Sequence, residues 1–278
     1  MAPFAYDEIG YWSEIKLDVV RKYASAYSRI MTAQPAITKH IYIDGFAGPG
    51  RHIARRTGQF VPGSPLNALE VKPPFSEIHL IDLHRSRVAE LKRQIGYRSD
   101  VFIYEADANH VLLDKVFPRC LYEDFNRALC LLDPYGLNVD WRVLQAAGEM
   151  GSVEIFYNFM IMDANMNVLW RNPDNVAPTQ SERMDRVWGD DSWAEVAYVE
   201  RPTLWGDTVG EKAPNEAIAE AFRKRLQHVA GFKYVPKPAP MINIRGAVIY
   251  YLFFASPNET GAHIVEDIFN TARRKGIA

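Results

Sequence analysis

Five short runs of this chain are predominantly apolar and are separated by loops and helix-like stretches: Ile41–Asp44, Ile78–Leu83, Val101–Tyr104, Ala128–Leu132 and Val153–Phe159. A strand with one wet face alternates apolar and polar residues, whereas a strand covered on both faces has no such need. Runs of this kind, alternating with helices, call for a parallel sheet with helices on both sides. Tyr234–Met241 and Ala247–Phe254 follow much later, joined only by the link Ile242–Gly246. So short a link allows an antiparallel pair and no crossover helix. The expectation is an α/β fold with a seven-stranded, doubly wound, Rossmann-like sheet whose last strand is antiparallel.

The remaining segments fit around that sheet. Trp12, Ile15, Val19, Tyr23, Tyr27 and Ile30 recur at steps of three and four, the period of one helix face, and predict an N-terminal helix over 11–31. Ser13 is placed to cap it, and Lys16, Asp18, Arg21 and Lys22 are assigned to wetter faces. Arg51–Pro62 shows no period and reads as a loop, closed by Ser64 as a helix cap and Pro65 in the first turn. Further helices are expected around Val88–Ile95, Trp141–Met150, Glu216–Val229 and Glu259–Arg273. Between about 161 and 215 the rhythm breaks. That stretch holds Trp170, Trp188, Trp193 and Trp205, four of the six tryptophans, and reads as an insertion of short helices over the carboxyl end of the sheet. The whole chain, 1–278, is expected to form a single domain.

Composition removes several classes of function. A formal charge of −2 gives no overall basic character, although a local basic patch is compatible with it. Two cysteines, Cys120 and Cys130, are too few for a disulfide framework and lack zinc spacing. The seven histidines show no metal-ligand spacing, so no metal site is expected. No apolar run approaches the roughly 20 residues of a membrane span. The opening MAPFAYDEIGYW has neither a charged leader nor an apolar signal core, and the expectation is a cytoplasmic protein without a membrane partner.

The strongest chemical signal is Tyr42-Ile43-Asp44-Gly45-Phe46-Ala47-Gly48-Pro49-Gly50, a strand running into a glycine-rich turn that lets backbone approach a ligand. A P-loop would end in Gly-Lys-Ser/Thr, and Arg51-His52 does not supply it. A dinucleotide fingerprint would want a third glycine where Ile53 stands, and Asp44 would oppose a pyrophosphate. A ligand with a cationic amino-acid end would be attracted to Asp44, and S-adenosylmethionine is such a ligand. The loop resembles motif I of class I methyltransferases. Asp82 then ends the next strand where an acidic residue can accept both ribose hydroxyls. Asp107, with Ala108 after it, falls where this family contacts the adenine amino group. Asp133-Pro134-Tyr135-Gly136 closes a later strand. A carboxylate and a proline carbonyl there can accept hydrogen bonds from an exocyclic amine while an aromatic ring stacks on the base. The segment resembles the Asp-Pro-Pro-Tyr motif of amino-group methyltransferases and, more closely, the Asp-Pro-Phe-Gly form of some tRNA guanine methyltransferases. It lacks the second proline of the former.

With YIDGFAGPG, PGSPLNALE, LLDPYGL and YYLFFAS together, and Trp12-Ser13-Glu14-x-Lys16 at the start, most of the chain resembles the bacterial three-Cys-motif partner family. The resemblance implies a class I methyltransferase-like fold, S-adenosylmethionine as cofactor and a partner protein carrying three cysteines. Asp44, Gly45, Phe46, Ala47, Gly48, Gly50, Asp82, Asp107 and Ala108 are then expected to bind the cofactor. Asp133, Pro134 and Tyr135 are expected to present the acceptor, an exocyclic amine of a nucleic-acid base. Arg51, His52, Arg55 and Arg56 form a basic cluster that can meet phosphates or simply solvent. Two other readings of the same residues stay open. One is a binding or partner protein that keeps the fold and transfers no methyl group. The other is a nuclease with Asp44, Asp82 and Asp133 around Mg²⁺.

Overall fold

A computed structural model of the chain describes residues 4–202, 208–243 and 245–274. The chain enters through a two-residue strand, β1 (Glu8–Ile9), and a long helix, α1 (Tyr11–Thr32). Then come β2 (Lys39–Asp44), β3 (Arg51–Ala54), β4 (Phe60–Pro62) and α2 (Ser64–Leu69). The alternating part continues as β5 (Glu77–Asp82), α3 (Arg85–Ile95), β6 (Val101–Glu105), α4 (Ala108–Val111), β7 (Asn126–Leu132), α5 (Trp141–Met150) and β8 (Val153–Phe159). Helices α6 (Ile161–Asn167), α7 (Pro178–Trp188) and α8 (Trp193–Ala197) lead to β9 (Tyr198–Pro202) and β10 (Thr208–Lys212). The chain closes with α9 (Asn215–His228), β11 (Ala239–Ile242), β12 (Val248–Ala255) and α10 (Glu259–Arg274).

Seven of these strands make one sheet in the order β6-β5-β2-β7-β8-β12-β11. Pairs from β6 to β8 are parallel, and β12 runs antiparallel to both β8 and β11. Numbered by sheet strand alone, this is 3-2-1-4-5-7-6 with the seventh reversed, the class I methyltransferase arrangement. Alternate residues feed two apolar layers. Ile41, Ile43, Cys130, Leu132, Ile155 and Tyr157 pack with α5 and α9. Tyr42, Leu80, Leu129, Leu131 and Phe156 pack with α1, α2 and α10. Both faces of every central strand are therefore dry, which is why their sequences run apolar without alternation.

Four local expectations are corrected. Arg51–Pro62 is not an irregular loop but the antiparallel hairpin β3–β4, to which β1 adds in parallel. Strands of two to four residues are too short for a period-2 pattern to show in sequence. Neither proposed serine cap forms: α1 is capped by Gly10 and α2 by Gly63, and Ser64 is the first residue of α2 itself. Tyr234–Met241 does not make a full strand. Only Tyr234 bridges to Ser256 before β11 begins at Ala239. Pro236, Pro238 and Pro240 remove ladder donors there, and β11 is accordingly short and at the sheet edge. The segment after β8 carries helices α6 to α8, but it ends in a second hairpin, β9–β10. Trp188 and Trp193 are buried packing residues, Trp170 is partly exposed, and Trp205 lies outside the described residues.

Candidate functional site

β2 lies between β5 and β7, where the connections diverge to opposite sides, and at such a switch point the carboxyl ends of the strands leave a crevice. The loop after β2 is held from both sides of that crevice. Gly45 N–H donates to the Leu131 carbonyl at 2.9 Å, and Ala47 N–H donates to the Ile81 carbonyl at 2.8 Å. Gly48 N–H donates to Asp82 Oδ2 at 3.0 Å, while Asp82 Oδ1 accepts from His84 N–H at 2.7 Å. Asp82 is thus the anchor of the loop and is only 6% exposed. Gly48 and Gly50 sit at φ +64° and +87°, values a side chain rarely tolerates.

Asp44 is fully buried beneath this loop. Its Oδ1 accepts from Phe46 N–H at 3.2 Å; the Ser64 hydroxyl lies beside the carboxyl, but Oδ2 meets no donor at full hydrogen-bonding geometry. Burial pushes its carboxyl up to about 7, and the charge of Asp133 adds to the rise; the Ser64 hydroxyl, the Phe46 N–H and Lys16 pull the other way.

Two chambers flank the loop. The smaller, about 300 Å³, is lined by Gly45, Phe46, Leu83, Asp107, Ala108 and Asn109, among others. The larger, about 620 Å³, is lined by Phe46, Ala47, Gly48, Ser64, Asp133, Pro134 and Tyr135 together with Asp7 to Ser13, Lys16 and Leu17. Phe46 borders both, so the two chambers adjoin at that side chain. Of the residues picked from sequence, Gly45 to Gly48, Asp107, Ala108 and Asp133 to Tyr135 line one or both chambers. Asp44, Asp82 and Gly50 are buried and line neither. Asp107 also caps α4, accepting from His110 N–H at 3.2 Å.

The larger chamber is built from side chains that arrive from far along the chain. Lys16 on α1 donates to Asp133 Oδ2, and Asn158 on β8 donates to Asp133 Oδ1. Lys16 is 6% exposed, not on a wet face as its charge suggested, and its ammonium also lies 5.5 Å from the ring centre of Tyr250. The signal was present: Trp12, Lys16, Val20, Tyr23 and Tyr27 fall on one helical stripe, a lone cation within an apolar face. Asp163 on α6 accepts from Leu137 N–H at 2.8 Å and from Arg183 at 2.7 Å, fixing the turn after Tyr135. A Cβ at Gly136 would stand 2.6 Å from Asp163 Oδ2, so any larger residue there has to displace the Asp163 carboxylate or the turn. His52 on β3 also lines the larger chamber, with its Nδ1 buried and unpartnered. Burial and then the Lys16 charge hold its imidazole below the usual histidine range, favouring the neutral form. Tyr135 itself is 61% exposed, with the Arg87 guanidinium 4.8 Å from its ring centre.

No family model matches the sequence, and no curated protein matches it either. Among solved structures, a Legionella pneumophila protein shares 12% identity at a TM-score of 0.46, over 92% of this chain and 90% of that one. A Listeria monocytogenes protein, described as an S-adenosylmethionine-dependent methyltransferase, shares 11% identity at 0.43, over 85% and 99%. A Leishmania major S-adenosylmethionine-dependent methyltransferase shares 12% at 0.39, over 88% and 79%. These values record likeness and carry no argument about the chemistry of this chain.

Proposed function

We propose that the chain is an S-adenosylmethionine-dependent methyltransferase acting on an exocyclic amino group of a nucleic-acid base, within one domain. The observation that carries this reading is the pair of chambers at the glycine loop. One is lined by Asp107 and Ala108, the other by Asp133 and Tyr135, and Phe46 borders both, an arrangement that suits a ligand with a nucleoside at one end and a reactive group at the other. The buried, unpartnered Oδ2 of Asp44 beneath the same loop is an acceptor that a cationic amine would satisfy. Leu83, 64% exposed at the wall of the smaller chamber, is apolar surface that a nucleoside would cover.

When bound, S-adenosylmethionine supplies a methyl group on a sulfonium. Gly45 to Gly48 would shape its seat, and Asp107 and Ala108 would flank the adenine. Asp82 would meet the ribose with the lone pairs left by its two backbone donors. Asp133 and the Pro134 carbonyl would orient the acceptor amine, with Tyr135 against the base. Lys16 and Asn158 fix the Asp133 carboxylate, so this geometry is set before the acceptor arrives.

The first test is calorimetric titration with S-adenosylmethionine and S-adenosylhomocysteine, followed by transfer of labelled methyl to single-stranded DNA and RNA. Micromolar binding is expected, and Asp133→Ala is expected to abolish transfer while cofactor affinity changes less than about twofold. Equal loss of both would remove Asp133 from the acceptor side. No binding of either compound would sink the cofactor assignment.

A second reading is favoured by a specific observation: both Asp133 oxygens already have protein partners. A non-catalytic protein that keeps the fold, and docks a three-cysteine partner as its family resemblance implies, would bind S-adenosylhomocysteine yet transfer nothing. The nuclease reading has less support. Among the described residues, Asp44, Asp82 and Asp133 are not gathered into a cluster able to hold a metal ion.

A further inference from the structure

The mouth of the larger chamber carries paired charges that the reaction does not use. Asp7 Oδ2 accepts from Arg87 Nη2 and from the Tyr135 hydroxyl, each at 3.3 Å. Glu8 Oε2 lies 3.6 Å from Arg55 Nε. Glu8 opens β1 and Asp7 precedes it, in a short segment lining the chamber whose strand pairs with β3 at only two residues. Asp7, Glu8 and Arg55 are exposed, and pairs of that kind contribute little, on the order of 0–1 kcal/mol each. Arg87 comes from α3 and Arg55 from the turn after β3, so they flank the opening from different elements. Asp7 also holds Arg87 against the exposed Tyr135 ring, the ring assigned above to the base. Arg56 lies 5.7 Å from the ring centre of Tyr11, a second aromatic at the same rim.

We propose that Arg55 and Arg87 receive backbone phosphates of a single-stranded nucleic acid, and that Asp7 and Glu8 occupy them in place of those phosphates in the free protein. The proposal rests on the nucleic-acid reading above and adds how that substrate is admitted. A backbone phosphate offers a guanidinium two non-bridging anionic oxygens, as a carboxylate offers two, so one can replace the other as acceptor. Displacing Asp7 frees both the Arg87 guanidinium and the Tyr135 hydroxyl in one event. An unpaired strand suits the site, because a base that enters a chamber must leave its stack, and ring faces at the rim can hold its neighbours.

Labelled, mixed-sequence single-stranded oligonucleotides are titrated by fluorescence anisotropy at low ionic strength. The proteins are the wild type, Asp7→Asn/Glu8→Gln and Arg55→Gln/Arg87→Gln, with S-adenosylhomocysteine titrated calorimetrically into each. The first double variant is expected to bind roughly five- to tenfold tighter. The second is expected to bind roughly tenfold weaker, with a shallower dependence on salt. Cofactor affinity is expected to stay within about twofold in both. Unchanged or weaker binding by Asp7→Asn/Glu8→Gln overturns the proposal. So does a preference for duplex, competition by AMP as strong as by the oligonucleotide, or no binding by any of the proteins. Absence of S-adenosylhomocysteine binding alongside the expected oligonucleotide pattern would remove only the cofactor reading.

Discussion

The two chambers that meet at Phe46 are made in different ways. The wall of the cofactor loop is backbone: Gly45, Ala47 and Gly48 each give an N–H to a strand end or to Asp82, and every partner is fixed by the register of the parallel sheet. The acceptor chamber is made of side chains. Asp133 meets Lys16 across 117 residues of sequence and Asn158 across 25. Asp163 reaches Leu137 across 26, and Asp7 reaches Tyr135 across 128. A backbone cradle at a strand end recurs wherever the fold recurs, whereas a side-chain constellation can change without disturbing the sheet. The glycine loop is therefore tied to the fold itself, while the larger chamber, the proposed acceptor site, depends on side chains that the fold does not dictate.

The sharpest way to break that contrast is to remove the one side chain on which the backbone cradle depends. Asp82→Ala takes the acceptor from both Gly48 N–H and His84 N–H and leaves two donors without partners. S-adenosylhomocysteine affinity is expected to fall by about a hundredfold or more, with a lowered melting temperature, since each unmade buried hydrogen bond costs roughly 1–3 kcal/mol. Affinity within threefold of wild type would show that the loop holds itself and that Asp82 is not its anchor. The complementary change is Gly136→Ala. The added methyl meets Asp163 Oδ2 at 2.6 Å and has to push α6 or the Asp133–Leu137 turn aside. A loss of about 1–3 kcal/mol in urea unfolding is expected, as for other overpacked sites. Leu137, next to Gly136, lines the smaller chamber, so cofactor affinity is expected to fall modestly, by less than about fivefold and far less than for Asp82→Ala, because the backbone cradle is untouched. A loss of affinity as large as that of Asp82→Ala would mean that the two chambers are one cooperative unit.

The same contrast explains what could be read from sequence. The sheet was legible because burial on both faces writes itself as uninterrupted apolar runs, and Val153–Phe159 and Trp141–Met150 fall where their patterns put them. The loop was legible because Asp44 to Gly50 is contiguous. Lys16 was not, because charge alone sent it to solvent, and only its place on the Trp12–Tyr23 stripe argued otherwise. Asp163 and Asn158 carry no local signal at all; their roles arise when α6 and β8 are brought against the turn after β7. The hairpin β3–β4 was missed because its strands are shorter than any period.

The smallest effect expected is a pH dependence that sets the two halves against each other at Asp44. Its carboxyl is raised to about 7, from an ordinary value near 4, chiefly by burial. In the free protein it is therefore protonated below about pH 7, and a cationic amine binds the ionised form. If binding draws on Asp44, cofactor affinity rises with pH and levels off above about 8. Between pH 6 and pH 8 the change is roughly tenfold, the ratio of ionised fractions on either side of 7. Stability runs the other way. A carboxyl whose folded value is raised binds more protons folded than unfolded between about pH 4 and 7, so its contribution to stability falls as pH rises through that window. Glu154, buried against Tyr23 and Ser256 on the same face of the sheet but nearer the amino ends of the strands, and also raised to about 7, shares the second trend but lines neither chamber. Asp44→Asn is therefore expected to flatten the pH profile of S-adenosylhomocysteine affinity while leaving part of the pH dependence of melting temperature in place. Glu154→Gln is expected to do the reverse. If the affinity profile is flat in the wild type, the cofactor amine does not use Asp44. The unpartnered oxygen beneath the loop then belongs to the packing of the sheet and not to the acceptor-facing chemistry above it.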